Sequence, residues 1–419
     1  MLWVAGFGCL WLNLLDAPPL QSGAYVQDVG GGAATLAMIT PAPCRLACVV
    51  RDESGAEVCR IEGADARRRH ALRASGLGHG RRYLFSLFDP TSGEEIDAGS
   101  FVTPPAEDAA PVRFAFVGDS GGLPGWVWLQ RAPIVHLPAR WGWLPDDGEV
   151  TSIGAAMAEH RPDFVLHLGD VVYPKGQNLH YTNGFFRPFA ELLRHSAYYP
   201  VAGNHDTMDD DGRQLFANFH LPRSAQTGDE RCFSFAWGAV RVIGLDLNVD
   251  RLGGRLEPGH PALEYLRQEL RTCAEPWIVV ASHYPIRSQS RQRNRGDLLL
   301  HLLPELREGC ASLYLAGHDH CYQRFGPGWD GDAPPMVVSG GGGKSLYDVR
   351  PGAHVVVASA YHWCSAEVAG GQLTVRAHGL DGSRIDELVL QLPEGPALDA
   401  VRRQNPARAA RIEGLAKGR

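Results

Sequence analysis

Beyond Val112 the chain alternates between two periods. Short apolar runs at Arg113–Val117, Phe164–Leu168, Trp277–Val280 and Ser312–Leu315 read as strands, and the stretches Ser152–His160, Phe185–Leu193, Ala262–Arg271 and Leu298–Arg307 read as helices. Strands alternating with helices predict a layered α/β domain. Phe233–Leu247 predicts a hairpin turning at Trp237-Gly238. Met336–Ser339, His354–Ala360, Gln372–Ala377 and Leu388–Leu392 add late strands. The expected architecture is a two-sheet sandwich flanked by helices.

Upstream of Val112 the rhythm differs. From about Ala24 to Thr103, short runs rich in β-forming residues (Ala34–Ile39, Leu46–Val50, Tyr83–Phe88, Gly99–Val102) are punctuated by Gly, Pro, Asp and Ser. They predict a small all-β domain over 24–104. Leu77, Gly80 and Tyr83 fit a Leu-x-x-Gly-x-x-Tyr corner, in which the tyrosine hydroxyl ties back to the backbone. On that motif the stretch resembles a fibronectin type III sandwich. Thr103–Asp108, with two prolines, reads as a stiff linker, and the layered domain is expected to span 111–392. After Pro393, Arg402, Arg403, Arg408, Arg411, Lys417 and Arg419 stand among many alanines. Residues 393–419 therefore read as a solvated basic tail, a frayed helix or disordered.

Composition narrows the class. The 419 residues are 44% hydrophobic and 21% charged, a globular rather than a disordered balance. A formal charge of −7 argues against nucleic-acid binding through the global field. The nine cysteines are scattered without a Cys-x-x-Cys pair, which argues against a Cys-rich zinc module. Cys44, Cys48 and Cys59 are close enough in sequence for one pair to bridge. Leu2–Leu15 has the length and apolarity of a signal-peptide core but lacks the preceding Lys or Arg. The segment 1–23 reads either as the leader of a secreted or periplasmic protein or as a segment that packs on the fold. No other stretch is apolar for long enough to span a bilayer.

Five short blocks change the picture. Gly118-Asp119-Ser120-Gly121, Gly169-Asp170-Val171-Val172-Tyr173, Gly203-Asn204-His205-Asp206, Ser282-His283-Tyr284-Pro285 and Gly317-His318-Asp319-His320 each follow an apolar run and each carry metal-binding side chains. Ligands gather beyond the carboxyl ends of strands in layered α/β sheets. Glycines precede four of the blocks' first ligands, and a glycine lets the backbone turn sharply and come close to an ion. Carboxylates suit hard cations and imidazoles suit iron, zinc or manganese. Two ions ~3.5–4 Å apart clamp both oxygens of an in-line displacement at phosphorus.

Together the blocks resemble the metallophosphoesterase (calcineurin-like) superfamily, whose motifs are GDxG, GDxxY, GNH(D/E), a lone His before an aromatic or small residue, and GHxH. More narrowly, the chain is similar to the purple acid phosphatases. Residue 121 is Gly where most of the superfamily has the His of Asp-x-His, and Tyr173 stands where the purple branch supplies a phenolate to ferric iron. The resemblance covers about residues 24 to 392. It implies a four-layer αββα sandwich preceded by a small all-β sandwich. It implies two metal ions, Fe(III) and a divalent Fe, Zn or Mn. By position, Asp119, Tyr173 and His320 would hold the ferric ion, Asn204, His283 and His318 the divalent ion, and Asp170 would bridge. His205 would contact the phosphate and help move protons. The implied activity is acid phosphatase-like hydrolysis of a small phosphate monoester, with a metal-bridging hydroxide attacking phosphorus in line.

One departure stands out. The family's further histidine after the lone metal His is missing from Tyr284–Arg291, and Arg287, Arg291, Arg293 and Arg295 occupy that region. One of these arginines, Arg287 and Arg291 foremost, is expected to bind substrate phosphate, since guanidinium forks fit phosphate oxygens. A mobile basic loop is the plainer reading. The missing histidine keeps phosphodiester or nucleotide hydrolysis open, and a weakly active metal-binding surface module is the reading from another class. Gly118–Gly122 spells a serine-protease motif, but the His and Asp it needs upstream lack their surroundings. Gly340–Ser345 resembles the end of a phosphate loop, but Val338 stands where its first Gly belongs. It reads as a flexible turn near the rim. The insert Gly122–Val150, with Trp126, Trp128, Trp141 and Trp143, reads equally as packing or as a rim that selects the organic part of a substrate.

Overall fold

The computed structural model describes residues 20–121, 148–248, 255–290 and 295–417. Seven strands come first: β1 (Tyr25–Gln27), β2 (Ala33–Cys44), β3 (Ala47–Asp52), β4 (Glu57–Glu62), β5 (Arg67–Ser75), β6 (Arg82–Phe88) and β7 (Glu95–Val102). Next are β8 (Val112–Val117), β9 (Phe164–His167), β10 (Ala197–Pro200), β11 (Phe233–Trp237), β12 (Val240–Gly244), β13 (Trp277–Ala281) and β14 (Leu313–Ala316). The last are β15 (Tyr322–Phe325), β16 (Met336–Ser339), β17 (Val355–Ala358), β18 (His362–Ala369), β19 (Gln372–Gly379) and β20 (Arg384–Gln391).

Two sheets form the sandwich. One runs β20-β19-β18-β8-β9-β10-β1-β2-β5 and the other β11-β12-β13-β14-β16-β15-β17. At their centres β8, β9 and β10 are parallel neighbours, as are β12, β13, β14 and β16. Side chains alternate between two buried faces, as central parallel strands require. Phe114, Phe116, Phe164 and Leu166 face the other sheet and meet Val279, Leu313 and Leu315 in the shared core. Phe164 packs edge-on against Phe235 at 5.2 Å. Ala115, Val117 and Val165 face outward into a layer with Ile153 and Met157 of the helix Gly148–His160. Ile278, Val280 and Tyr314 face the helices Pro261–Thr272 and Leu303–Glu308 on the far side. The architecture is thus helix, sheet, sheet, helix.

The N-terminal region forms two antiparallel layers, but only β4-β3-β6-β7 is a sheet of its own. β1, β2 and β5 extend the first large sheet, because Val26 of β1 pairs in parallel with Ala197 of β10. Gln27 Nε2 donates to the Tyr198 carbonyl at 3.1 Å, and Arg194 grips Asp97 through two nitrogens at 2.9 and 3.2 Å. β1 has three residues, too short for a legible period. At the tyrosine corner, the Gly78 N–H donates to the Tyr83 hydroxyl at 2.8 Å. The eight cysteines of the described residues, Cys44, Cys48 and Cys59 included, are free. Among the described residues no helix is long and apolar enough to cross a membrane.

Residues 393–417 correct the expectation of a frayed or disordered tail. Gly395–Gln404 and Pro406–Lys417 are helices, and the second is docked. Proline in the first turn of Gly395–Gln404, and as first residue of Pro406–Lys417, suits helix entry. Arg408 is 2% exposed. Its guanidinium donates to the carbonyls of Pro276, Gly309 and Cys310, two of them just past the end of the helix Leu303–Glu308. Asn405 Nδ2 donates to the carbonyls of Arg271 and Cys273. The arginine that looked solvated satisfies orphan carbonyls at helix ends, where a cation is favoured.

Candidate metal centre

The five blocks leave the carboxyl ends of five strands: β8, β9 and β10 in one sheet, β13 and β14 in the other. The site therefore straddles the two sheets. Asp119, Asp170 and His318 all adopt left-handed backbone conformations, with φ of 59°, 54° and 68°. Such conformations cost about 1–3 kcal/mol each in non-glycine residues and persist where function holds them. The preceding glycines serve mainly close approach. A Cβ on Gly203 would sit 2.1 Å from the Asp170 nitrogen, and one on Gly317 would sit 2.6 Å from the Leu168 oxygen.

The donor atoms fall into two groups. In the first, the Tyr173 hydroxyl lies 3.0 Å from Asp119 Oδ1, 2.8 Å from Asp170 Oδ2 and 3.2 Å from His320 Nε2. In the second, Asn204 Oδ1 lies 3.1 Å from both His283 Nε2 and His318 Nδ1, and these two nitrogens are 3.2 Å apart. Asp170 touches both groups, since its other oxygen stands 3.5 Å from His283 Nε2. One donor atom each from Asp119, Asp170 and His283 lie within 4.8 Å of one another. Asp119, Asp170 and His283 are at most 1% exposed.

Main-chain carbonyls aim three of the imidazoles. A carbonyl only accepts, so Nδ1–H of His283 donates to Leu168 O, that of His320 to Ser345 O and that of His205 to Pro174 O, each at 2.8 Å. Nε2 of His283 and of His320 is left facing the cluster, the usual arrangement behind a metal-binding histidine. His205 lies beside the cluster, its ring 4.4 Å from that of Tyr173, and its backbone N–H donates to Asp170 Oδ1 at 2.8 Å.

The charges suit cations. Burial and the carboxylates of Asp119 and Asp170 push the Tyr173 phenol well up. Burial and neighbouring His283 push His318 down to about 3. Burial opposes ionisation of Asp170, but His283 and His205 overcome it and hold the carboxyl at about 2. A buried carboxylate, a phenol and a cluster of imidazoles form a donor set that bound cations would complete, reversing the push on the phenol.

Sequence reasoning missed the supports. Asp206 accepts N–H bonds from Gly203 at 2.9 Å and Val171 at 3.0 Å, joining two of the ligand loops. It was visible as the fourth letter of its block, without a role. The carbonyls of Leu168, Pro174 and Ser345 carry no side-chain signature. Gly340–Lys344 is not a flexible turn at the rim: it is buried. A Cβ on Gly340 would lie 2.2 Å from the Asp319 oxygen, and one on Gly342 would lie 2.3 Å from the Gly118 oxygen. The glycines let this strand exit pass directly beneath the ligand loops.

The structure does not bring Arg287 to the cluster. Its guanidinium pairs with Asp330 at 3.2 Å and stacks over Trp329 at 5.5 Å. Arg295 pairs with Asp297 and lies 4.6 Å over the Tyr284 ring, which abuts His318. Arg291, Arg293 and the four tryptophans of the insert lie outside the described residues.

Residues 112–322 match the family model described as calcineurin-like phosphoesterase. The chain is 27% identical over 263 residues to tartrate-resistant acid phosphatase type 5 of Rattus norvegicus, covering 56% of this chain and 73% of that protein. It is similar in fold to a purple acid phosphatase from yellow lupin, with a TM-score of 0.70, 16% identity and coverage of 88% of this chain and 74% of that one. The structure of PhoD is also similar, with a TM-score of 0.64, 12% identity and coverage of 96% and 99%.

Proposed function

We propose that this chain, which belongs to the calcineurin-like phosphoesterase family and is a metal-dependent phosphoester hydrolase, cleaves phosphate monoesters at a pair of metal ions, as an acid phosphatase does. The observation that carries this reading is the sharing of Asp170 between two groups of donor atoms. Asp119, Tyr173 and His320 would hold one ion, Asn204, His283 and His318 the other, and Asp170 both. The phenol favours Fe(III) at the first position, and the amide and imidazoles suit a divalent Fe, Zn or Mn at the second.

When bound, the two cations would supply positive charge to the phosphoryl oxygens and acidify a water for in-line attack on phosphorus. The chain's own residues do the rest. His205, fixed through Nδ1 by the Pro174 carbonyl, presents Nε2 to a substrate oxygen and exchanges a proton there. Asp206 locks the Asn204 loop to the Asp170 loop, so the two groups keep their spacing. The N-terminal strands are read as a fibronectin type III-like unit, on their three-plus-four strand arrangement and the Tyr83 corner.

Elemental analysis with a visible spectrum, alongside a panel of nitrophenyl mono- and diesters, tests the reading. Two ions per chain and a monoester preference are expected. A diester preference would give phosphodiester hydrolysis instead, and turnover no faster than free metal would leave a metal-binding module.

A further inference from the structure

We propose that Ser120 and His167 are positioning residues: their hydrogen bond fixes the loop that carries Asp119 against the loop that carries Asp170, and so sets the geometry of the first donor group. The proposal rests on the reading of that group as a metal site. Ser120 Oγ lies 2.8 Å from His167 Nε2. Both side chains are 0% exposed. Ser120 directly follows Asp119, and His167 stands three residues before Asp170. A hydroxyl both donates and accepts, so the bond holds in either neutral tautomer of the ring. Ser120 is the serine of the Gly118–Gly122 motif. Buried and bonded to this ring, it is not placed to attack a substrate.

The backbone explains why a side-chain bond matters here. β8 and β9 run parallel with Val117 opposite His167. Two backbone bonds carry the pairing past the strand ends. The Leu168 N–H donates to the Val117 carbonyl at 2.8 Å, and the Asp119 N–H donates to the Gly169 carbonyl at 3.0 Å. Both chains then leave strand geometry, at Asp119 and Asp170, with φ of 59° and 54°. The Ser120–His167 bond is a further link between the two loops. Gly121 closes the join: a Cβ there would lie 2.6 Å from Val172 Cα and 2.8 Å from the Tyr173 nitrogen. Residues 119–121 are thus fastened at successive points to the segment 167–173. These two loops supply Asp119, Asp170 and Tyr173, whose oxygens meet at 2.8 and 3.0 Å.

His167 is a costly residue for its place. It follows Val165 on the helix-facing side of β9, with its ring 6.3 Å from that of Phe185 and 6.1 Å from that of Tyr198. An apolar side chain would fill this aromatic layer without desolvating a polar ring. Among the described residues its Nε2 meets Ser120, and its Nδ1 meets no protein partner. One such bond returns little net stability. What the pair supplies is a fixed distance between two ligand loops. Metal ligands depend on supports of this kind, and losing one commonly weakens metal binding by about 10–100-fold.

Four variant holoenzymes, Ser120→Ala, Ser120→Thr, His167→Leu and the double variant Ser120→Ala/His167→Leu, test this against the wild type. The readouts are ion retention during dialysis against a chelator, the visible band of an ion on Tyr173, urea unfolding, and kcat for para-nitrophenyl phosphate. Ser120→Ala should hold the ion at Asp119, Tyr173 and His320 about 10-fold more weakly, with the second ion retained and kcat falling alongside. Ser120→Thr, which keeps the hydroxyl, should recover part of the loss. His167→Leu should unfold at the wild-type urea concentration or above it, yet lose the same ion. The double variant should be no worse than either single variant, as expected of two residues acting through one bond. Wild-type ion retention in both single variants overturns the proposal. So do losses that add in the double variant. So does a loss of both ions in step with lost stability, which is what a merely structural pair would give. A wild type that holds two ions but hydrolyses no monoester would overturn the phosphatase reading, while ion retention would still decide the proposal.

Discussion

The Tyr173 hydroxyl lies 2.8 Å from Oδ2 of Asp170, while Oδ1 of the same carboxylate takes the backbone N–H of His205 at the same distance. Oδ1 also stands 3.5 Å from His283 Nε2, so one short side chain serves two groups of donors contributed by both sheets. Asp170→Asn keeps the shape and removes the charge. The occupancy of both ions should fall together, and kcat/KM should drop by roughly 10²-fold or more. Elemental analysis after dialysis checks this. Loss of one ion with full retention of the other would count against a shared ligand.

Tyr173→Phe separates the two positions. It removes the hydroxyl that touches Asp119, Asp170 and His320 but keeps a ring to pack against His205. The visible band expected of a ferric phenolate should vanish, with the second ion retained. An absorption spectrum paired with metal analysis reads both. A colourless wild-type holoenzyme with two ions would remove ferric iron from the assignment.

The five blocks were legible because each carries donor side chains and sits just after a strand written in apolar letters. The structure places Asp119, Asp170, Tyr173, Asn204, His283, His318 and His320 together without any of them being adjacent in the chain beyond one block. What holds them was not legible. Leu168, Pro174 and Ser345 act through carbonyls, which every residue has. Gly340 and Gly342 gain meaning only because they pack against Asp319 and Gly118. Arg408 was misread because an arginine among alanines looks solvated until the helix ends it serves are in place. The joining of β1 to β10 depends on one register pair across 171 positions, a relation no local pattern carries.

Gly342→Ala probes the scaffold beneath the site. The added methyl would meet the Gly118 carbonyl oxygen at 2.3 Å and Val117 Cγ2 at 2.8 Å. The carbonyl belongs to the turn that carries Asp119 and has no room to retreat. The substitution should cost about 1–3 kcal/mol of stability and weaken metal binding at the same time. Gly32→Ala, where nothing lies within 4 Å, is the control and should change neither. Urea unfolding and metal titration of the two variants give the comparison.

Arg408→Leu tests the C-terminal clamp. The guanidinium is buried, and removing it strands the carbonyls of Pro276, Gly309 and Cys310. A loss of about 2–4 kcal/mol is expected. The clamp is far from the donor cluster in sequence and shares no contact with it, so kcat per folded molecule should not change. Thermal unfolding and active-site titration measure the two quantities separately. A variant as stable as the wild type would mean that the helix Pro406–Lys417 is held by its apolar side alone.

His362 makes stability depend on pH. The ring is wholly buried, with Nε2 3.0 Å from Ser339 Oγ and Nδ1–H donating to the Ala360 carbonyl at 2.9 Å. Burial, partly opposed by the Ala360 bond, pushes its pKa down to about 4, and burial takes His167 to about 3. In the unfolded chain each titrates near 6.5. Because the folded values are depressed, the stability these rings confer is complete above about pH 6.5. As pH falls further, the unfolded chain binds protons that the folded chain refuses. Each ring then costs up to about 1.4 kcal/mol per pH unit until its folded pKa is reached. Urea midpoints should fall between about pH 7 and pH 4.5, and His362→Gln, which keeps polar atoms but does not titrate, should flatten that slope by about one proton. Equal slopes would show that His362 accepts a proton without unfolding.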